Sequence, residues 1–323
     1  MKKKKLILVI TPIDHIKNVK NLLNKIGNIT IYDDPSVNKI KKIIHKFDAV
    51  FTNPNKSKVF FDKNIIDKAV RLKVICTAST GTNHIDISYA KKKNIHIISL
   101  TKEYKLINKI SSTSEHAFAL TLASIRNLIS SSNSVFNNEW DYTPYIGRQM
   151  DHLKIGIIGY GRLGRKYANY SKAFGSKVFF FDPYKKEISK KIKKITSLKK
   201  LISVSDILSI HVHLTKKTHH MINKNTLSFL KKNAIIINTS RGDIVNESEL
   251  VKFLKKNDNV KYYSDVIEKE IFGSSKNLLI KYAKKNKHQV IITPHIGGMT
   301  HEAQYLAYTH AVKKLNEFLK KCI

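Results

Sequence analysis

Cysteine, arginine, proline and long apolar runs are all scarce in this chain of 323 residues. The two cysteines, Cys76 and Cys322, stand far apart, so no disulfide framework organises the fold, and thiol usage fits a reducing cytoplasm. With 6 prolines and 12 glycines, the chain is far from collagenous, low-complexity or disordered composition. No stretch approaches the roughly 18 consecutive apolar residues of a spanning helix, so no membrane partner is expected. The basic start at Lys2–Lys5 leads into Leu6–Ile10, but Thr11, Pro12 and Asp14 stop the apolar part short of the roughly 7 to 15 residues of a signal-peptide core. That segment reads instead as a first buried strand.

Acids are also few, 24 against 59 basic residues, which gives a formal charge of +35. Such a charge draws nucleic acid or anionic surfaces. Yet only 6 of the basic residues are arginine, the type that makes bidentate and stacking contacts to bases. The lysines are spread along every helical pattern beside Asn and Ile, as solvated faces would be, so no specific nucleic-acid partner is expected.

What the chain does have is apolar content, 42%, arranged in strand-length runs that alternate with amphipathic stretches. Strands are predicted at Lys5–Ile10, Ile29–Tyr32, Ala49–Thr52, Lys73–Ala78 and His96–Leu100, with helical patterns such as His15–Ile26 and Val37–Lys46 between them. A long Ala/Leu-rich helix is predicted over Ser111–Ile129, apolar on most faces and hence buried. A second series follows at Leu153–Ile158, Lys177–Phe181, Ile207–His213, Ala234–Asn238, Lys261–Val266 and Val290–Ile292, and Glu302–Lys320 reads as one terminal helix. The pattern is α/β: two doubly wound, Rossmann-like parallel-sheet domains.

The sharpest motif is Gly159-Tyr-Gly161-Arg162-Leu163-Gly164, which follows an apolar strand and opens a helix. Gly159 permits the tight turn, Gly161 lets backbone N–H groups approach a pyrophosphate, and Gly164 lets helix and strand pack closely. The helix that starts at Arg162 and Leu163 turns its positive end toward the phosphates. Asp182 closes the next strand, placed to accept hydrogen bonds from the ribose hydroxyls, which favours NAD over NADP; Lys185 and Lys186 leave some room for NADP.

Four polar residues lie beyond three later strand ends, where open α/β sheets bind ligands: Arg241 after Ile235–Ser240, Asp265 and Glu270 after Tyr262–Ser264, and His295 in Thr293-Pro-His-Ile-Gly-Gly. An arginine holds a carboxylate and polarises a carbonyl, a histidine moves the hydroxyl proton, and a carboxylate orients that histidine and stabilises its charged form.

On these motifs the chain resembles the D-isomer-specific 2-hydroxyacid dehydrogenases over nearly its whole length. Ser112–Arg126 is similar to the family's buried interdomain helix, Leu153–Asp182 to its NAD fingerprint, Leu214–Asn246 to its arginine signature, Tyr263–Glu270 to its acidic segment and Thr293–Ala303 to its histidine signature. The resemblance implies Arg241, Glu270 and His295 as the catalytic set, and Thr239 and Asp265 among the cofactor contacts, the latter near the nicotinamide carboxamide. Ser79, Thr80 and Gly81 fall on the loop whose N–H groups grip the substrate carboxylate. It further implies a discontinuous substrate domain, 1–108 plus 297–323, an NAD-binding domain, 109–296, an active site in the cleft between them, and a homodimer joined through the cofactor domain.

The expected reaction passes a hydride between NAD and C2 of a 2-hydroxy or 2-keto acid. Lys56-Ser57-Lys58 falls where phosphoglycerate dehydrogenases carry a basic pair, which makes 3-phosphoglycerate the first substrate, with glyoxylate or hydroxypyruvate as the alternative. A non-catalytic, NAD-sensing interaction protein is the rival from another class; the full Arg/Glu/His set weighs against it. No room follows Ile323 for an amino-acid-binding domain, so serine feedback is not expected. Ile271 and Phe272 stand where a proline usually follows the family's glutamate, which keeps Glu268 as a competitor of Glu270, and Ser79-Thr80 replaces a more glycine-rich loop. His211, His213, His219 and His220 crowd together without a completing Cys or carboxylate, so no metal is expected. Cys76 reads as a core thiol, and Trp140 as packing in the crossover or a dimer arm.

Overall fold

A computed structural model describes residues 4–54, 59–185, 192–270, 273 and 277–321. Lys56, Ser57, Lys58, Lys186, Ile271, Phe272 and Cys322 lie outside the described residues. The chain divides into two compact units, Met1–Ile110 with Met299–Ile323, and Ser111–Gly298.

In the first unit, β1 (Lys5–Val9), α1 (Val19–Ile26), β2 (Gly27–Ile31), α2 (Val37–Ile43), β3 (Ala49–Thr52), α3 (Lys63–Ile66), β4 (Val74–Thr77), α4 (Ile87–Lys92), β5 (His96–Ile98) and α5 (Tyr104–Ile107) follow one another. Its five strands are all parallel, in the order β2-β1-β3-β4-β5. The two-residue period of a strand sends Ile7, Val9, Phe51 and Cys76 to one face and Leu8, Ile10, Val50 and Ile75 to the other, and both faces are buried.

The second unit comprises α6 (Ser112–Ile125), α7 (Leu128–Phe136), β6 (Lys154–Ile158), α8 (Arg162–Ala173), β7 (Lys177–Phe181), β8 (Lys193–Lys194), α9 (Leu198–Val204), β9 (Ile207–Ile210), α10 (Lys224–Leu227), β10 (Ile235–Asn238), α11 (Glu247–Leu254), β11 (Lys261–Ser264), α12 (Leu278–Lys285) and β12 (Val290–Ile292). Its parallel sheet runs β8-β7-β6-β9-β10-β11-β12, so the winding reverses beside β6, the point where doubly wound sheets bind ligands. The last helix, α13 (His301–Lys321), belongs to the first unit: Tyr308 packs against Phe51 with ring centres 5.8 Å apart, and Phe318 stacks on His96 at 4.7 Å.

The sequence pattern differs from the structure in a few places. The helix expected over 111–129 ends at Ile125, because Asn127 turns left-handed at φ 51° and a second helix starts. Two groups satisfy the last-turn carbonyls that the break frees: Lys261 Nζ donates to the Ser124 carbonyl at 3.2 Å and the Arg148 N–H to that of Ile125 at 2.9 Å. The expected strand Ile207–His213 stops at Ile210, and β8, two lysines on a sheet edge, has no apolar run to announce it. Trp140 is 91% exposed, so it packs little against the described residues. Cys76 is buried and donates its thiol to the Ala311 carbonyl.

Candidate active site

The glycine turn after β6 shows three different demands. Gly159 sits at φ +90°, and a Cβ on it would lie 2.5 Å from the His211 carbonyl oxygen. At Gly164 a Cβ would meet the Gly159 carbonyl oxygen at 2.1 Å, so helix α8 can only approach the turn this closely with hydrogen there. Gly161, which caps α8, would meet nothing within 4 Å. The first two glycines are thus demanded by the chain's own backbone, while the third keeps a space open in front of a helix N-terminus. Arg162 and Leu163 open that helix, and burial lowers the Arg162 pKa. Asp182 accepts hydrogen bonds from the N–H of Tyr160 and of Tyr184, both at 2.9 Å, which ties the end of β7 to the glycine turn. At the end of β10, Thr239 Oγ1 is buried and, among the described residues, has no hydrogen-bond partner. An open cradle, a helix end and an unsatisfied hydroxyl beside the switch point fit a dinucleotide.

Arg241, Glu270 and His295 are held by three neighbouring loops of the same unit. Asn238 holds the arginine loop, donating from Nδ2 to the Arg241 carbonyl at 3.1 Å, while Arg241 Nη1 donates to the Ser240 carbonyl at 2.6 Å. Burial lowers the pKa of the guanidinium, and the negative charge of Glu270 offsets part of that effect. Gly242 permits the approach: a Cβ there would lie 1.9 Å from the Ile267 carbonyl carbon and 2.2 Å from the Glu268 nitrogen. The arginine loop is therefore pressed onto the Ile267–Glu268 peptide. Two residues on, after Lys269 at φ 56°, Glu270 Oε1 lies 2.7 Å from His295 Nδ1. Glu268 faces away from this pair, its Oε1 3.1 Å from His220 Nε2.

Asp265 organises the histidine loop. Its carboxylate accepts from the Thr293 hydroxyl at 2.6 Å and from the N–H groups of Ile296 at 2.8 Å and Gly297 at 2.7 Å. Burial pushes this carboxyl up, but hydrogen bonds from His116, Thr293, Gly297 and Ile296 outweigh it and hold the pKa below the ordinary value. His116, on α6, was not singled out in the sequence; Nε2 lies 2.9 Å from Thr293 Oγ1 and 3.3 Å from Asp265 Oδ1. A histidine inside an Ala/Leu-rich helix was the signal available.

In the first unit, the loop after β4 has its carbonyls tied inward. Ser79 Oγ donates to the Gly81 carbonyl at 2.6 Å, Thr101 Oγ1 to that of Thr80 at 2.8 Å, and the Leu100 N–H to that of Ser79 at 2.9 Å. Of the histidine group, His211 lies against Ser209, 2.8 Å away, and desolvation pulls its imidazole down to about 3; His219 stacks on His220 at 3.9 Å.

Residues 118–297 match the D-isomer specific 2-hydroxyacid dehydrogenase, NAD binding domain. The chain belongs to this family. It is 31% identical over 316 residues to a glyoxylate reductase of Thermococcus litoralis, covering 94% of this chain and 91% of that one. To a D-3-phosphoglycerate dehydrogenase of Methanocaldococcus jannaschii it is 29% identical over 317 residues, 97% of this chain but 57% of the relative, so it spans little more than half of that protein. Among solved structures, a D-lactate dehydrogenase from Aquifex aeolicus complexed with NAD and lactic acid superposes with a TM-score of 0.82 at 30% identity, covering 98% and 96% of the two chains. The protein is thus an NAD-dependent 2-hydroxyacid dehydrogenase with two Rossmann-like parallel-sheet units. Among the described residues no helix is long and apolar enough to cross a membrane.

Proposed function

We propose that this chain reduces a 2-keto acid to its D-2-hydroxy acid, with Arg241, Glu270 and His295 as the catalytic set. The observation that carries the reading is the 2.7 Å contact between His295 Nδ1 and Glu270 Oε1, with Arg241 held on the adjoining loop. NADH, when bound, would supply the hydride and leave as NAD; Gly159, Gly161, Arg162, Leu163, Gly164, Asp182, Thr239 and Asp265 are the residues proposed to hold it. Glu270 orients the His295 ring, which leaves Nε2 to give a proton to the substrate oxygen. Arg241 anchors the substrate carboxylate through paired N–H donors, and the N–H groups of the Ser79–Gly81 loop are proposed as its second grip.

For the substrate, 3-phosphohydroxypyruvate is the first choice, on the sequence position of Lys56 and Lys58. Glyoxylate or hydroxypyruvate is the second reading, favoured by the relative from Thermococcus litoralis that matches along most of its length. NADH oxidation against a panel of 2-keto acids tests all of these. Turnover of none of them, by protein that binds NADH, would reject the catalytic reading and favour an NAD-sensing role.

A second copy of the chain is the proposed partner of the cofactor-binding unit, since Phe136, Trp140, Tyr142 and Ile146 expose large apolar side chains within one short segment. Sedimentation of Phe136→Asp, expected to be monomeric where the parent is dimeric, tests it. A cytoplasmic location is proposed from the low cysteine count and the free, buried thiol of Cys76.

A further inference from the structure

Beneath the proposed catalytic loops lies an acid that the reaction itself does not use. Glu247, at the start of α11, is 3% exposed, and its two oxygens each take one donor. Oε1 accepts from the Glu268 N–H at 2.7 Å, and Oε2 from Asn277 Nδ2 at 2.6 Å. The first of these belongs to the same Ile267–Glu268 peptide on which Gly242 is packed. Asn277 has its other end committed, its Oδ1 capping α12 by accepting from the Ile280 N–H at 2.9 Å. One peptide is therefore gripped from two sides, by the arginine loop and by a buried carboxylate, and Glu270 follows two residues later.

We propose that Glu247 is a positioning residue for the reaction: by holding the Glu268 N–H it fixes the loop that presents Glu270 to His295. The inference rests on the reading of Glu270 and His295 as the working pair. Its energetic logic is that the Glu268 peptide is fixed at both ends, since Asn277 Nδ2 also reaches the Glu268 carbonyl at 3.5 Å while Glu247 holds the N–H. Lys269 lies in the left-handed region, which an L-residue adopts only where its surroundings impose it. Burial raises the Glu247 carboxyl to about 7, helped by the negative charges of Glu268 and Asp243, while the two donors pull the other way. Tyr262, below it on β11, and His220, on the far side of Glu268, complete the titratable surroundings.

The test is Glu247→Gln. One amide end becomes a donor, so one of the two contacts is lost whichever way the group turns, and Asn277 cannot turn without uncapping α12. The rate of keto-acid reduction is expected to fall by about tenfold, the scale of one hydrogen bond, and the alkaline limb of its pH profile to move to lower pH, while NADH affinity stays unchanged. In a Glu270→Gln background the same substitution should add no further shift, because its effect passes through Glu270. An unmoved limb in Glu247→Gln, or an equal extra shift in the double variant, overturns the inference. If Glu270→Gln alone leaves the limb unmoved, the reading of the pair itself fails. Should Glu247→Gln not fold, Glu247→Asp, which withdraws the carboxylate by one methylene, is expected to move the limb in the same direction, and an unmoved limb there is equally decisive.

Discussion

His295 is held at φ 55°, in the left-handed region, with its Nδ1 2.7 Å from Glu270 Oε1. A histidine in that conformation is costly, on the order of 1–3 kcal/mol, and persists only where neighbours over-determine it. Here the neighbours are identifiable. Asp265 takes the N–H groups of the next two residues, and the His295 N–H itself donates to the Thr293 carbonyl at 3.0 Å.

Because the Glu270 carboxylate meets the ring, removing either partner has a distinct signature. His295→Asn should lower kcat at least about 100-fold, the usual scale of general acid–base catalysis, with NADH affinity nearly unchanged. Glu270→Gln should move the alkaline limb of keto-acid reduction to lower pH. Glu268→Gln should not, since that side chain faces His220. Rate profiles of the three variants, beside NADH fluorescence titrations, check these outcomes, and a shift seen with Glu268→Gln alone would exchange the two acids.

The glycine turn separates folding from binding. Gly161→Val places a side chain where nothing stands within 4 Å, so thermal stability without cofactor should be unchanged while NADH binding is lost. Gly164→Val drives a side chain into the Gly159 carbonyl oxygen, 2.1 Å from the added Cβ, and should destabilise the free protein as well. Melting curves with and without NADH distinguish the two; NADH binding retained by Gly161→Val would place the pyrophosphate elsewhere.

Asp182, proposed to face the ribose, also holds the glycine turn. Since it also accepts from the Tyr160 N–H, Asp182→Ala should loosen the glycine turn as well as remove the charge that repels a 2′-phosphate. The preference for NADH over NADPH in kcat/KM should narrow, chiefly through poorer use of NADH. A parent enzyme that uses NADPH better would show that Lys185 or Lys186 governs this pocket.

The fold was legible because parallel strands buried on both faces leave continuous apolar runs, as in Ile155–Ile158 and Ile235–Ile237, and because Gly159–Gly164 joins one such run to a helix. The positions of Arg241 and His295 beyond strand ends were legible for the same reason. Their partners were not. Choosing Glu270 over Glu268 depends on the left-handed turn at Lys269, a conformation that no residue type there announces. Asp265 was read for its likeness to a cofactor contact, yet its bonds to the histidine loop come from tertiary placement. Glu247 looks like an ordinary first-turn acid of a helix, and only packing reveals that it is buried.

That burial gives the last prediction a definite sign. Glu247 is pushed up from 4.5 to about 7 in the folded chain, so the folded state binds its proton more tightly than the unfolded state. The stabilisation is present in full below 4.5, fades as pH rises, and is gone above about 7. Glutamine at this position does not titrate and lacks that slope. Between about pH 4.5 and 7, the parent should therefore lose stability relative to Glu247→Gln by up to about 1.4 kcal/mol per pH unit, and the difference should level off above that window. Paired urea melts across the range measure it. A difference that stays constant with pH would mean that the buried carboxyl titrates alike in the folded and unfolded chain, and that its two hydrogen bonds fully offset its desolvation.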